Sequence, residues 1–153
     1  MSHEAIMEFL SKRGVEFTLY QLKGEEAATV ESAARSIGCD PSVIVKNVVF
    51  VSNNSAIVVL CSGDRSVDKT KLSHVIGARV RIASREEVMS MTGYVVGGVP
   101  PFNHRTGVRV IADSSILRYD EVVTSGGSPD TLIKLRTSDL LMLSGASVHD
   151  IST

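Results

Sequence analysis

The densest apolar stretch of the chain, Val43-Ile44-Val45-Lys46-Asn47-Val48-Val49-Phe50-Val51, is dominated by β-branched residues and predicts a strand covered on both faces. A polar turn, Ser52-Asn53-Asn54-Ser55, follows it, so Ala56 to Leu60 is expected to return as its antiparallel partner. Helical spacing appears earlier, where Ile6, Phe9 and Leu10 share one face of a segment capped by Ser2 and ending near Gly14. Phe17, Leu19 and Gln21 alternate with Thr18 and Tyr20 as a short strand. Thr29 then caps a second helix through Val30, Ala33, Ala34 and Ile37 to Gly38, and Pro41 restarts the chain.

Downstream, Asp68 opens a third helix through Leu72, Val75 and Ile76 to Gly77, and Ala78 to Ile82 alternates like a strand. Ser84 and Glu87 form a capping box for the next helix. Val108 to Ala112, Glu121 to Thr124 and Thr131 to Leu135 read as strands, with Asp113 to Leu117 a short turn or helical segment. Thr137 is expected to cap a last helix through Leu140, Leu141 and Leu143 to Gly145, leaving Ala146 to Ser152 as a tail. Strands outnumber helices and their connections are hairpin-like or irregular. The expected architecture is therefore α+β, a mixed, curved, barrel-like sheet flanked by helices, rather than regular βαβ winding. No repeat or linker interrupts the pattern, so residues 1–153 are expected to form a single domain.

Lys46 is the anomaly in this pattern. An ammonium within a doubly covered strand is costly unless it is paired or used, and the alternative is that its long stem carries the charge out past the sheet edge. Two glycine-bearing segments also stand out. Gly97-Gly98-Val99-Pro100-Pro101-Phe102 can be neither helix nor central strand; its glycines allow backbone to approach a ligand and its prolines fix the path, although a tight crossover would need the same residues. Ser125-Gly126-Gly127-Ser128-Pro129-Asp130 has the composition of an ordinary turn.

Composition narrows the chemistry. With 16 basic and 17 acidic residues the formal net charge is −1, so bulk attraction to long nucleic acid is excluded and any such contact must be local. Arg65, Lys69, Lys71, Arg79, Arg81 and Arg85 supply a basic patch, which reads either as a solvated face or as a surface for a phosphate backbone. No run is long and apolar enough for a membrane span, and Met1-Ser2-His3-Glu4 lacks the start of a signal peptide, so a cytoplasmic protein is expected. Cys39 and Cys61 are expected to be free thiols. Cys61 ends a predicted strand beside Ser62-Gly63-Asp64-Arg65, where a nucleophile could sit, although free cysteine more often packs as a small hydrophobe. His3, His74, His104 and His149 show no ligand spacing, and phosphate-loop, nucleophile-elbow and zinc-helix motifs are missing, so neither metal nor cofactor is expected.

Thr29-Val30-Glu31-Ser32-Ala33-Ala34, Ile44-Val45-Lys46-Asn47-Val48-Val49-Phe50, Gly63-Asp64-Arg65-Ser66-Val67-Asp68 and Leu72 together resemble the YbaK/EbsC family of aminoacyl-tRNA deacylases, related to the editing domain of prolyl-tRNA synthetases. The resemblance continues through Glu87-Val88, Thr92-Gly93-Tyr94, the Gly97 to Phe102 loop, Ser125-Gly126-Gly127 and Asp139-Leu140-Leu141, in the family's order. It implies a trans-editing hydrolase that deacylates mischarged tRNA, with alanyl- or cysteinyl-tRNA(Pro) as the substrate. Its partners would be the aminoacyl-tRNA acceptor end and, alongside it, an aminoacyl-tRNA synthetase.

By the same resemblance Lys46 is the functional strand lysine. Gly97, Gly98, Val99, Pro100 and Pro101 form the loop that meets the terminal adenosine and aminoacyl group, Ser125, Gly126 and Gly127 form a second pocket wall, and Tyr20 and Asn47 join the substrate-binding positions. Some relatives carry an acidic residue several positions after the second glycine motif, whereas the nearest carboxylate here, Asp130, comes earlier. An aminoacyl ester is already activated, so a positioned water and loop amides facing the oxyanion suffice without a protein nucleophile. The alternatives are a non-catalytic module of the same fold that binds aminoacyl-tRNA ends or a protein, and a small-molecule enzyme acting on another activated ester or a nucleotide with Lys46 as an anion holder.

Overall fold

The computed structural model describes residues 1–153. Helix α1 (His3–Lys12) buries Ile6 and Leu10, and Ser2 holds its N-terminal cap position without a side-chain hydrogen bond. Strand β1 (Thr18–Gln21) leads through a 3-10 turn (Gly24–Ala27) to helix α2 (Val30–Ile37). Thr29 caps α2 reciprocally with Ser32, each side chain accepting the other's backbone N–H at 3.0 Å.

Strands β2 (Val45–Ser52) and β3 (Ser55–Ser62) form the expected hairpin along their whole length. Val45, Val49, Ala56, Val58 and Leu60 face α1 and the main core; Phe50, Ile57 and Val59 face helix α3 (Lys69–Ile76) through Leu72. Both faces are covered, which accounts for the β-branched run, each fully buried aliphatic side chain contributing about 1.5–3 kcal/mol. Of the two placements left open for Lys46, full burial is not the one found. The lysine lies only half-buried at the leading end of β2, before the covering layers close.

Strand β4 is only Arg81–Ile82, shorter than the alternation from Ala78 predicts, because just these residues meet β2, at Val51 and Phe50. Helix α4 (Arg85–Thr92) has the predicted Ser84–Glu87 capping box. Strands β5 (Arg109–Asp113), β6 (Glu121–Ser125) and β7 (Thr131–Arg136) precede helix α5 (Thr137–Ser144) and strand β8 (Ser147–His149). Thr137 is the first residue of α5 rather than its cap; its hydroxyl instead donates to the Tyr119 carbonyl at 2.6 Å. The expected C-terminal tail is also corrected. Ser147–His149 pairs parallel with β5, and Ile151 and Ser152 are buried.

The strands make two sheets, ordered β1-β7-β6 and β4-β2-β3-β5-β8, the second mixing antiparallel and parallel pairs. They meet where Ile44, just before β2, bridges Val123 of β6. This α+β arrangement leaves a gap that positions the site.

Candidate functional site

One edge of β2 pairs fully with β3. On the other edge, β4 reaches only Phe50 and Val51, and the link to β6 is made at Ile44, so Lys46, Asn47 and Val48 have no strand partner there. The Gly97–Phe102 loop closes on this gap through Asn47, whose Nδ2 donates to the Val99 carbonyl and to Thr124 Oγ1, each at 2.8 Å. Thr124 Oγ1 in turn donates to the Val45 carbonyl at 3.1 Å. The carbonyl of Val99 can only accept, which assigns the Asn47 amide and leaves its Oδ1 buried without a partner.

A cavity of about 250 Å³ opens at the gap. One wall is Ala27, Ala28, Thr29, Val30 and Ala33, at the head of α2; a second is Ile44 to Val48; Gly97 and Val99 supply the loop side, and Ser125, Pro129 and Leu132 complete the lining. The structure thus gathers Lys46, Asn47, Gly97, Val99 and Ser125 of the sequence-predicted residues around one space. A smaller apolar cavity of about 200 Å³ shares Asn47, Val48, Gly97 and Val99 and continues toward Ile82 and Val96. Three larger clefts, about 460 Å³ beside α5, about 440 Å³ beside α3 and about 270 Å³ between the β2–β3 turn and the end of α4, contain none of these site residues.

The loop is built for close approach. Gly97 has φ of +85°, and a β-carbon on Gly98 would lie 2.9 Å from Ser128 Cα and 3.0 Å from Pro129, so the two glycine segments pack backbone to backbone. Pro100 and Pro101 are buried outside the cavity lining and hold the loop's far side. His104 Nε2 donates to the Pro100 carbonyl at 2.6 Å, and Phe102 stacks on Phe9 of α1 with ring centroids 5.0 Å apart. Burial lowers the His104 pKa against the raising effect of the Pro100 bond, which favours the neutral imidazole.

The remaining sequence-predicted residues lie outside the lining. Gly126 hydrogen-bonds the Thr131 carbonyl at 2.8 Å, and Gly127, with φ of +106°, packs against Ile6 and the Ser2 carbonyl, so both shape the turn behind Ser125. Tyr20 sits half-buried on β1 opposite Leu132. Asp130 is exposed, its carboxylate accepting the Thr131 hydroxyl at 3.2 Å.

Lys46 lines the cavity, and its Nζ donates at 2.5 Å to the carbonyl of Arg65, a residue outside that lining. Its cross-strand neighbour Cys61 is fully buried. Burial and the nearby Asp113 push that thiol up to about 11 against the opposing Lys46 and Arg65 charges, so it stays protonated near neutral pH and is a poor nucleophile. No group of three or more His, Cys, Asp or Glu side chains is arranged to hold a metal ion, and no helix is long and apolar enough to cross a membrane.

The basic patch is divided by the fold. Arg81 is bound bidentately by Glu87 at 2.7 Å, Arg65 Nε donates to Ser152 Oγ at 3.1 Å, and Lys71 donates to the Ser152 carbonyl at 2.9 Å. Lys69 and Arg79, without ion pairs, line the cleft beside α3. Sequence reasoning missed Thr124, the alanine wall and the Ser152 contacts. Thr29 was visible as a helix cap, whereas the others carry no local signal because their partners are remote in sequence.

The aminoacyl-tRNA editing domain family model matches residues 24–143. The chain is 28% identical to the multifunctional Ser/Thr-tRNA deacylase ProXp-y of Escherichia coli K12, over 94% of this chain and 88% of that protein. It is 34% identical to the proline–tRNA ligase of Thermotoga neapolitana over 67% of this chain, a stretch that spans only 18% of the ligase. A crystal structure provisionally described as a trans-editing enzyme for prolyl tRNA synthetase superposes with a TM-score of 0.91 at 34% identity, covering 99% of this chain and 96% of that one.

Proposed function

The chain belongs to the aminoacyl-tRNA editing domain family, and from that premise we propose that it is a trans-editing hydrolase that removes a small, wrongly attached amino acid from tRNA. The observation that carries the reading is the gathering of Lys46, Asn47, Gly97, Val99 and Ser125 around one cavity at an unpaired strand edge. The aminoacyl ester enters that cavity from the acceptor end. Water adds to the ester carbonyl, the tetrahedral oxyanion is met by loop N–H groups and the Lys46 ammonium, and the bond to the ribose oxygen breaks as that oxygen takes a proton. Free amino acid and an uncharged 3′ end result. Positioning and charge carry this chemistry, in keeping with the buried, protonated Cys61.

The alanines at the head of α2 and a volume of about 250 Å³ favour small side chains, which agrees with alanine or cysteine on tRNA(Pro). A specific observation favours a second reading of the side chain. Asn47 Oδ1, on a residue that lines the cavity, is a buried acceptor with no partner, and a serine or threonine hydroxyl would satisfy it if the Asn47 amide turns toward the cavity, in line with the activity named for the Escherichia coli relative. The partner in either case is an aminoacyl-tRNA acceptor end, with a synthetase as the source of the mischarged substrate.

Deacylation of a panel of tRNAs charged with alanine, cysteine, serine, threonine and proline tests both readings together. Release of one or more small residues with proline spared is the expected result. If all five esters persist while the tRNA binds, the protein is a non-catalytic acceptor-end module.

A further inference from the structure

The carbonyl that holds Lys46 belongs to Arg65, in a loop tied to the far end of the chain. Thr153 N–H donates to the Ser66 carbonyl at 2.9 Å, Asp68 N–H donates to the Ile151 carbonyl at 2.8 Å, and Val67 bridges Ser152. Ser152, only 1% exposed, joins the two segments through its side chain. Its hydroxyl donates to Asp113 Oδ2 at 2.8 Å and accepts from Arg65 Nε at 3.1 Å. The direction is unambiguous, since the guanidinium can only donate and the ionised carboxylate can only accept.

Asp113 is fully buried at the end of β5 and pairs directly with no cation. It is satisfied by the Ser152 hydroxyl and by the N–H groups of Ile151 and Ser115, at 2.9 and 3.1 Å. Burial alone would raise its pKa, but these donors outweigh that effect and hold the carboxyl below its ordinary value. A buried carboxylate is a costly way to attach a tail that Ile151, with 0% exposure, already anchors in the core beside Leu72 and Ile111.

We infer that Asp113 and Ser152 are positioning residues for Lys46: the carboxylate orients the Ser152 hydroxyl, the hydroxyl holds Arg65, and the Arg65 carbonyl fixes the ammonium of this cavity-lining lysine. The effect on turnover rests on the deacylase reading, whereas the coupling between the C-terminal segment and Lys46 does not.

The test uses the full chain carrying Ser152→Ala, Ser152→Thr or Asp113→Asn. Spectra of ¹⁵N-lysine-labelled protein follow the Lys46 ammonium signal, assigned by its loss in Lys46→Met, and deacylation kinetics are measured in parallel. In Ser152→Ala the Lys46 signal should broaden through faster exchange with water, and kcat should fall about tenfold with KM unchanged, as expected for a displaced charge. Ser152→Thr, which keeps the hydroxyl, should restore both. An unmoved Lys46 signal in Ser152→Ala overturns the inference, as does a loss confined to KM or one that threonine fails to rescue. If Asp113→Asn does not fold, the serine pair decides. A wild-type protein inactive on every ester defeats the deacylase reading while the lysine spectra still report on the coupling.

Discussion

Asn47 Nδ2 donates to the carbonyl of Val99 at 2.8 Å, joining the open edge of β2 to the glycine loop across 52 positions of sequence. The same amide holds Thr124 at 2.8 Å. One side chain therefore ties strand, loop and β6 together beside the cavity that Asn47 and Val99 both line.

Replacing Asn47 by alanine should open this junction. Loss of its two hydrogen bonds, with the Val99 carbonyl left unsatisfied, should cost about 1–3 kcal/mol in urea unfolding and lower kcat/KM for deacylation. A variant with unchanged kcat/KM would mean that the loop keeps its place without Asn47.

Lys46→Ala should separate stability from activity. Lys46 is half-buried and its bond to Arg65 is solvent-accessible, so the unfolding free energy should change by no more than about 1 kcal/mol while deacylation is lost. Full activity against a verified substrate would remove Lys46 from the mechanism.

Gly98→Ala probes the contact between the two glycine segments. The added carbon would sit 2.9 Å from Ser128 Cα, so backbone must move, at a cost of about 1–3 kcal/mol. The expected kinetic signature is a raised KM; a thermal melt and KM matching the wild type would show that the segments have room.

Stability should fall toward acid in two stages. His104 has a lowered pKa through burial, so the folded state stays neutral while the unfolded state takes up a proton below about pH 6.5. A second loss follows below about pH 4, where the unfolded carboxyls protonate before the folded ones. The Arg81 hydrogen bond and the Ser84 N–H hold Glu87 at about 2, and Asp64 is lowered by Arg118. Stability from these groups is therefore present above their unfolded pKa values and is lost as pH falls through the folded ones. Urea midpoints at pH 7.5, 5.5 and 3.5 check the order, and His104→Gln should flatten the first stage.

Basic residues free of internal partners should account for local phosphate contact. Lys69→Glu and Arg79→Glu should each weaken tRNA binding and reduce the salt dependence by about one counterion, whereas Arg81→Ala, already neutralised by Glu87, should leave the slope nearly unchanged. Equal slopes for all three would place the RNA on another face.

Much of the local structure was legible in sequence. Thr29, Asp68 and Ser84 announced their helices because a cap and its N–H partners lie within three residues, and the β2–β3 hairpin followed from two apolar runs around a polar turn. The final strand was missed because Ser147–His149 is short and its pairing depends on β5, more than thirty positions earlier. Thr137 was misread as a cap because its true partner, the Tyr119 carbonyl, is equally invisible along the chain.

The candidate site divides in the same way. Lys46 and the two glycine segments could be singled out from sequence because a charge in an apolar run and a Gly-Pro cluster break local patterns. Their relative placement could not. Whether Lys46 is buried, which of Gly97, Gly98, Ser125 and Gly127 face the cavity, and that Asp113 reaches Arg65 through Ser152 were decided by the incomplete edge of β2 and the return of the C-terminus. Sequence by itself determined most of the elements, since propensity, capping and periodicity act over a few residues. Only the tertiary structure decided the site, because hydrogen bonds and burial between remote segments depend on where sheets meet and where one of them is left open.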